Sequence, residues 1–157
     1  MSVRQDILTE LLSRVATIAV SQGFQTDAGG QVFFGESPQL GPDDPDAAIA
    51  VVVRDDFSTD QSGFGEGEDG ISVALLPIEV QAVVKADLEQ PWVTVEQIIS
   101  DIKQAIETSD RGLGGLLAKA LDRGRTRTQH REPGSTIVGA SIEYRATFAE
   151  SWGGGAV

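Results

Sequence analysis

The chain has 157 residues, a formal net charge of −12, 40% hydrophobic residues and no cysteine. That length supports one hydrophobic core, and the acidic balance argues against a general nucleic-acid binder, whose phosphate contacts need a basic face. The missing thiols exclude disulfides, thiolate metal sites and thiol catalysis. The opening MSVRQDILTELLSRV carries charge where a secretion signal would be apolar. With no run of about 18 apolar residues either, neither a signal nor a membrane span is expected.

Residues 3–21 place Val3, Ile7, Leu8, Leu11, Leu12, Val15, Ile18 and Ala19 at three- and four-residue spacing, which predicts an amphipathic helix lying on a sheet. Ser2 with Gln5 fits a capping box at its start, and Gly23 is expected to stop it. A turn over 25–30 and a short strand over 31–34 follow. Three prolines and two glycines then break regular structure between residues 35 and 45. Residues 47–54, AAIAVVVR, form a β-branched run without polar alternation, the pattern of a strand covered on both faces.

Residues 55–70, DDFSTDQSGFGEGEDG, read as a long acidic loop without periodicity. Asp60, Glu66, Glu68 and Asp69 are oxygen donors, but their spacing fails the EF-hand pattern and no glycine-aspartate repeat supports a β-roll. No metal or cofactor is therefore expected. The organising stretch is 69–89, DGISVALLPIEVQAVVKADLE. Its apolar residues sit at odd positions before Pro77 (Ile71, Val73, Leu75) and at even positions after it (Ile78, Val80, Ala82, Val84). That change of phase predicts one long strand with a bulge or bend at Leu76-Pro77.

After Pro91-Trp92 a second helix is expected, with a capping box at Thr94 and Gln97, a staple between Val93 and Ile98, and an end near Ser109. Val95, Ile98, Ile99, Ile102, Ala105 and Ile106 form its buried stripe. GLGG at 112–115 reads as a flexible corner; it lacks the lysine and the spacing of a phosphate cradle. A short helical piece is expected over 116–122. Residues 124–132, GRTRTQHRE, alternate arginine with threonine as a strand with a polar face does, and Pro133-Gly134 turns the chain. In 135–150, Val138, Ala140, Ile142, Tyr144, Ala146 and Phe148 share one face, which marks a half-covered strand. Trp152 and the glycine-rich tail read as a flexible end. The order predicts a single α+β domain over 1–157: a mostly antiparallel mixed sheet with an N-terminal helix and a second long helix packed on one face.

Catalytic chemistry has little to work with. His130 is the one histidine, set among Arg125, Arg127 and Arg131, and one imidazole assembles neither a nucleophile with its base nor a histidine metal site. A non-enzyme is expected. The distribution of charge carries more information: residues 36–69 hold ten acids against the single base Arg54, and residues 111–131 hold six bases against the single acid Asp122. Two solvated loops of unlike sign would produce this pattern. So would self-complementarity, in which Asp55, Asp56, Asp60, Glu66, Glu68 and Asp69 of one subunit meet Arg123, Arg125, Arg127 and Arg131 of the next, head to tail. Contact of Arg125, Arg127 and Arg131 with nucleic-acid phosphates is the third possibility, opposed by the net charge.

The segments RQDILTELLSRV, TDAGGQV, AAIAVVVRDD, LPIEVQAVV, VEQIISDIKQAI, GLGGLL and IEYRATFAE, taken in order, resemble the tail terminator, or tail completion, proteins of long-tailed bacteriophages. The resemblance spans nearly the whole chain and rests on element order. It implies a virion protein that forms a hexameric ring at the head-proximal end of the tail tube. There it would end polymerisation of the major tail tube protein and offer a surface to neck or connector proteins, without catalysis. DNA would later pass through the channel unbound, which an acidic lumen would favour. Other expectations kept open are another small neck or head-tail joining protein and, from a different class, a small soluble enzyme or ligand-binding domain.

Overall fold

A computed structural model describes residues 2–40, 46–54, 59–61, 71–87, 89–129 and 133–151. Two helices, α1 (Val3–Val15) and α2 (Pro91–Glu107), lie against a six-stranded sheet. Its strands are β1 (Val32–Phe34), β2 (Ala47–Val53), β3 (Thr59–Gln61), β4 (Ile71–Lys85), β5 (Asp122–Gln129) and β6 (Ile137–Ser151). The order across the sheet is β1-β2-β4-β6-β5, with β3 pairing β4 beyond the end of β2. The β1–β2 pair is parallel and the other pairs are antiparallel, so this is the mixed, mostly antiparallel α+β domain that the sequence predicts.

The central pair β4–β6 sets the geometry. Its register runs unbroken from Ile71↔Ser151 to Lys85↔Ile137, and the residues buried against the helices keep to even positions throughout: Ser72, Ala74, Leu76, Ile78, Val80, Ala82 and Val84. The expected bulge at Leu76-Pro77 does not form, because Ile71, Val73 and Leu75 are apolar residues on the outer face and not a shifted inner set. Pro77 sits in the gap between two ladders on one edge of β4: β2 pairs residues 78–84 and β3 pairs residues 73–75. The Pro77 carbonyl accepts from the Arg54 N–H at 3.0 Å, so its nitrogen points to that same edge, where no ladder needs a donor. A proline is thus accommodated in a central strand without interrupting the β6 side.

The inner face of the sheet and the apolar stripes of the helices close over one cluster. Val138, Ala140, Ile142, Tyr144, Ala146 and Phe148 of β6 contribute to it, as the alternation predicts. On β2, Ile49 and Val51 join this cluster while Ala48 and Ala50 are buried on the opposite face, so the strand is covered on both sides. Each fully buried Ile, Val or Leu contributes about 1.5–3 kcal/mol relative to exposure.

Several boundaries differ from expectation for local reasons. The Ser2/Gln5 capping box is present, but α1 ends at Val15. The Thr17 hydroxyl donates to the Arg14 carbonyl at 2.6 Å and the chain turns. Ile18 continues the apolar period outside the helix, and Gly23 closes a later 3₁₀ turn, Val20–Gln22, with φ of 90°. The helix α2 begins at Pro91, three residues before the expected cap, since a proline fits the first helical position where no N–H is needed. Thr94 instead accepts from the Asp87 N–H at 3.4 Å.

The helical piece expected over 116–122 is absent. Residues 111–119 form turns and bends, and the Ala118 N–H donates to Thr147 O at 2.8 Å along the β6 edge. The GLGG segment is a packed corner and not a loose one: Leu113 is 1% exposed at φ of 53°, and the Asp110 carboxylate accepts from the N–H groups of Gly112 and Gly114. Those two donors hold the Asp110 carboxyl below the usual carboxylate range. Within the expected 55–70 loop, Thr59–Gln61 forms a strand. The rest of that loop, His130 and the tail from Trp152 lie outside the described residues.

Candidate functional site

Among the described residues, the arginine strand β5 lies at the sheet edge and pairs only with β6. Its register with β6 shifts by one between Arg123 and Thr126, so that Gly124 and Arg125 together occupy the place opposite Glu143. Gly124 suits this bulge: a Cβ there would lie 3.2 Å from the Glu143 Cβ and 3.3 Å from its Oε2. The bulge has a consequence that the alternation in GRTRTQ conceals. Arg123, opposite Tyr144, belongs to the helix side of the sheet, whereas Arg127, opposite Ser141, belongs to the outer face.

On the helix side, Arg123 Nη1 sits 3.1 Å from Glu107 Oε1, and the Tyr144 hydroxyl donates to Glu107 Oε2 at 2.7 Å. Burial of the ring, then the hydrogen bond and charge of Glu107, hold the Tyr144 hydroxyl in its neutral form well above its ordinary titration range. These contacts tie the end of α2 to β5 and β6. A second tie comes from α1: Arg14 donates to the carbonyls of Ile106 at 2.9 Å and Asp110 at 2.7 Å, closing the C-terminal end of α2.

On the outer face, Glu79 and Glu143 are direct cross-strand neighbours. Two like charges in that position repel, and Arg54 is set between them: it pairs with Glu143 and lies 3.6 Å from Glu79. Arg127 adds a 3.6 Å contact to Glu143, and Gln81 donates to Glu79 at 2.9 Å. Farther along the same face Arg145 lies 3.7 Å from Asp122, with both side chains about half exposed. A concavity of about 420 Å³ opens here, with Leu75 and Pro77 among its lining and Arg54, Arg125, Arg127 and Arg145 around it. A second, of about 500 Å³, lies between Ser37 and Pro38 and the outer side chains Glu79, Gln81, Val83, Arg127 and Ser141.

The sequence singles out Arg123, Arg125 and Arg127, and the structure puts all three on one strand but not on one face. Arg131, Asp55, Asp56, Glu66, Glu68 and Asp69 lie outside the described residues, and of Asp60 only the backbone, in β3, is described. Arg54 and Arg145 were not singled out, because they stand in ordinary strand sequence and only strand pairing brings them beside Glu143 and Asp122. Among the described residues no group of three acidic or histidine side chains could hold a metal ion, and no described helix is long and apolar enough to cross a membrane. A scan against protein-family models gives no match, and a search of curated proteins finds no relative.

Proposed function

We propose that this protein is a structural subunit of a phage tail, assembling as a ring that caps the head-proximal end of the tail tube and joins it to the neck. The likeness of the seven sequence segments to tail terminator proteins suggests the role. The observation that carries it is the sheet order. Strands β1, β2 and β3, which bracket or belong to the acid-rich span 36–69, all lie on one side of β4, while the arginine strand β5 lies at the far edge beyond β6. Opposite charge at opposite edges of one subunit is the arrangement a heterologous, head-to-tail contact uses, and such a contact closes into a ring when the rotation allows.

In this reading the two helices form the packed back of the subunit and the outer sheet face is the working surface. The test is electron microscopy of tails grown without the protein. Tubes of uncontrolled length are the expected result. Tails of normal length that lack heads would overturn the capping role and assign the protein to a later joining step.

A further inference from the structure

We infer that the guanidinium-lined concavity on the outer face, between β4, β6 and the bulge of β5, is a socket that receives an acidic segment of a second copy of this chain. The inference rests on the ring reading and assigns the contact to particular residues.

Four arginines, Arg54, Arg125, Arg127 and Arg145, meet one carboxylate, Glu143, around this cavity. Arg54 and Arg127 share Glu143, and Arg54 also faces Glu79. Among the described residues, Arg145 has only the 3.7 Å contact to Asp122, both half exposed, and Arg125 makes no ion pair. Two guanidiniums therefore stand, among the described residues, largely uncommitted beside aliphatic lining from Leu75 and Pro77. That combination fits a carboxylate carried on a chain with apolar side groups, because a guanidinium binds carboxylate oxygens in a fork while the lining takes the apolar neighbour.

A duplex would meet the field of a protein at −12, and its phosphates need a wider basic track than this cavity offers. The chain itself carries the matching partner. Its span 36–69 has ten acids to one base, and within it the described Glu36, after β1, and Asp46, before β2, are exposed.

The experiment uses full-length chains. One carries Arg125→Glu with Arg145→Glu; the other carries Glu36→Lys with Asp46→Lys. Each is checked for an unchanged thermal melt, and self-association is measured by sedimentation at low and high salt. The native chain is expected to self-associate in a salt-dependent way, and each variant alone to associate on the order of tenfold more weakly. Association of the arginine variant equal to that of the native chain would overturn the socket while leaving the ring reading intact. A native chain that stays monomeric at low salt would also overturn it. So would loss of duplex DNA retention in the arginine variant without loss of association.

Discussion

Asp101 offers a sharp test of how the fold is held, since it is a fully buried carboxylate in the middle of the apolar helix α2. It accepts the Gln25 N–H at 2.9 Å, the Thr26 N–H at 2.7 Å and the Thr26 hydroxyl at 2.7 Å, fixing the turn between α1 and β1 to the helix. Hydrogen bonds to a charged acceptor contribute about 1.5–3 kcal/mol each. Gln25 and Thr26 are not fully buried, so water recovers part of the loss when the acceptor is removed. Asp101→Ala should therefore cost about 3 kcal/mol, which at about 2–4 °C per kcal/mol lowers the melting midpoint by about 6–12 °C. Asp101→Asn keeps one acceptor oxygen and should lose about half as much.

Urea and thermal unfolding, followed by circular dichroism, measure both. Thr26→Ala should cost about 1 kcal/mol alone and less in the Asp101→Ala background, because the two side chains share a bond. A loss below about 1 kcal/mol for Asp101→Ala, or strict additivity with Thr26→Ala, would refute the assigned network.

Gly29 should reject any side chain: a Cβ there would lie 2.7 Å from the carbonyl oxygens of Val15, Ala16 and Ile18, whereas Gly30 has nothing within 4 Å. Gly29→Ala is expected to destabilise by about 2 kcal/mol or more in urea unfolding and Gly30→Ala by well under 1 kcal/mol; equal effects would contradict the packing of this turn on the end of α1. Tyr144 is the only tyrosine, so alkaline titration reads it alone. Its hydroxyl is held neutral in the fold, so the unfolded chain releases a proton above about pH 10 that the folded chain retains. Stability from this group is complete below that pH and is lost as pH rises. Phenolate absorbance should appear only with unfolding, and Tyr144→Phe should flatten the alkaline fall in stability.

The α+β class, both helices, the covered β2 and the alternating β6 were legible because each depends on a local period: 3.6 residues where Leu11 and Val15 or Ile98 and Ile102 stack, and 2 residues where Ile142, Tyr144 and Ala146 align. The cap at Ser2 and Gln5 was legible for the same reason, since its partners lie three residues apart. Local periodicity misled at Pro77, where outer-face Val73 and Leu75 imitate a shifted inner set, and at 116–122, where Leu121 is buried and Leu116 and Leu117 half-buried without a helix. The β5 bulge, which sends Arg123 and Arg127 to opposite faces, leaves only the glycine at 124 as a trace in sequence.

What the sequence determined by itself is therefore the two helices, the long strands β2, β4 and β6, and the segregation of charge along the chain. The strand order that sets β1, β2 and β3 on one side of β4 and the arginine strand β5 beyond β6 came only from the tertiary structure. So did the Arg54 bridge between Glu79 and Glu143, and the burial of Asp101 under residues 25 and 26. The physical reason is distance along the chain. Asp101 meets partners about 75 residues away and Arg54 meets Glu143 across 89 positions, contacts that form only when the whole sheet closes on its helices.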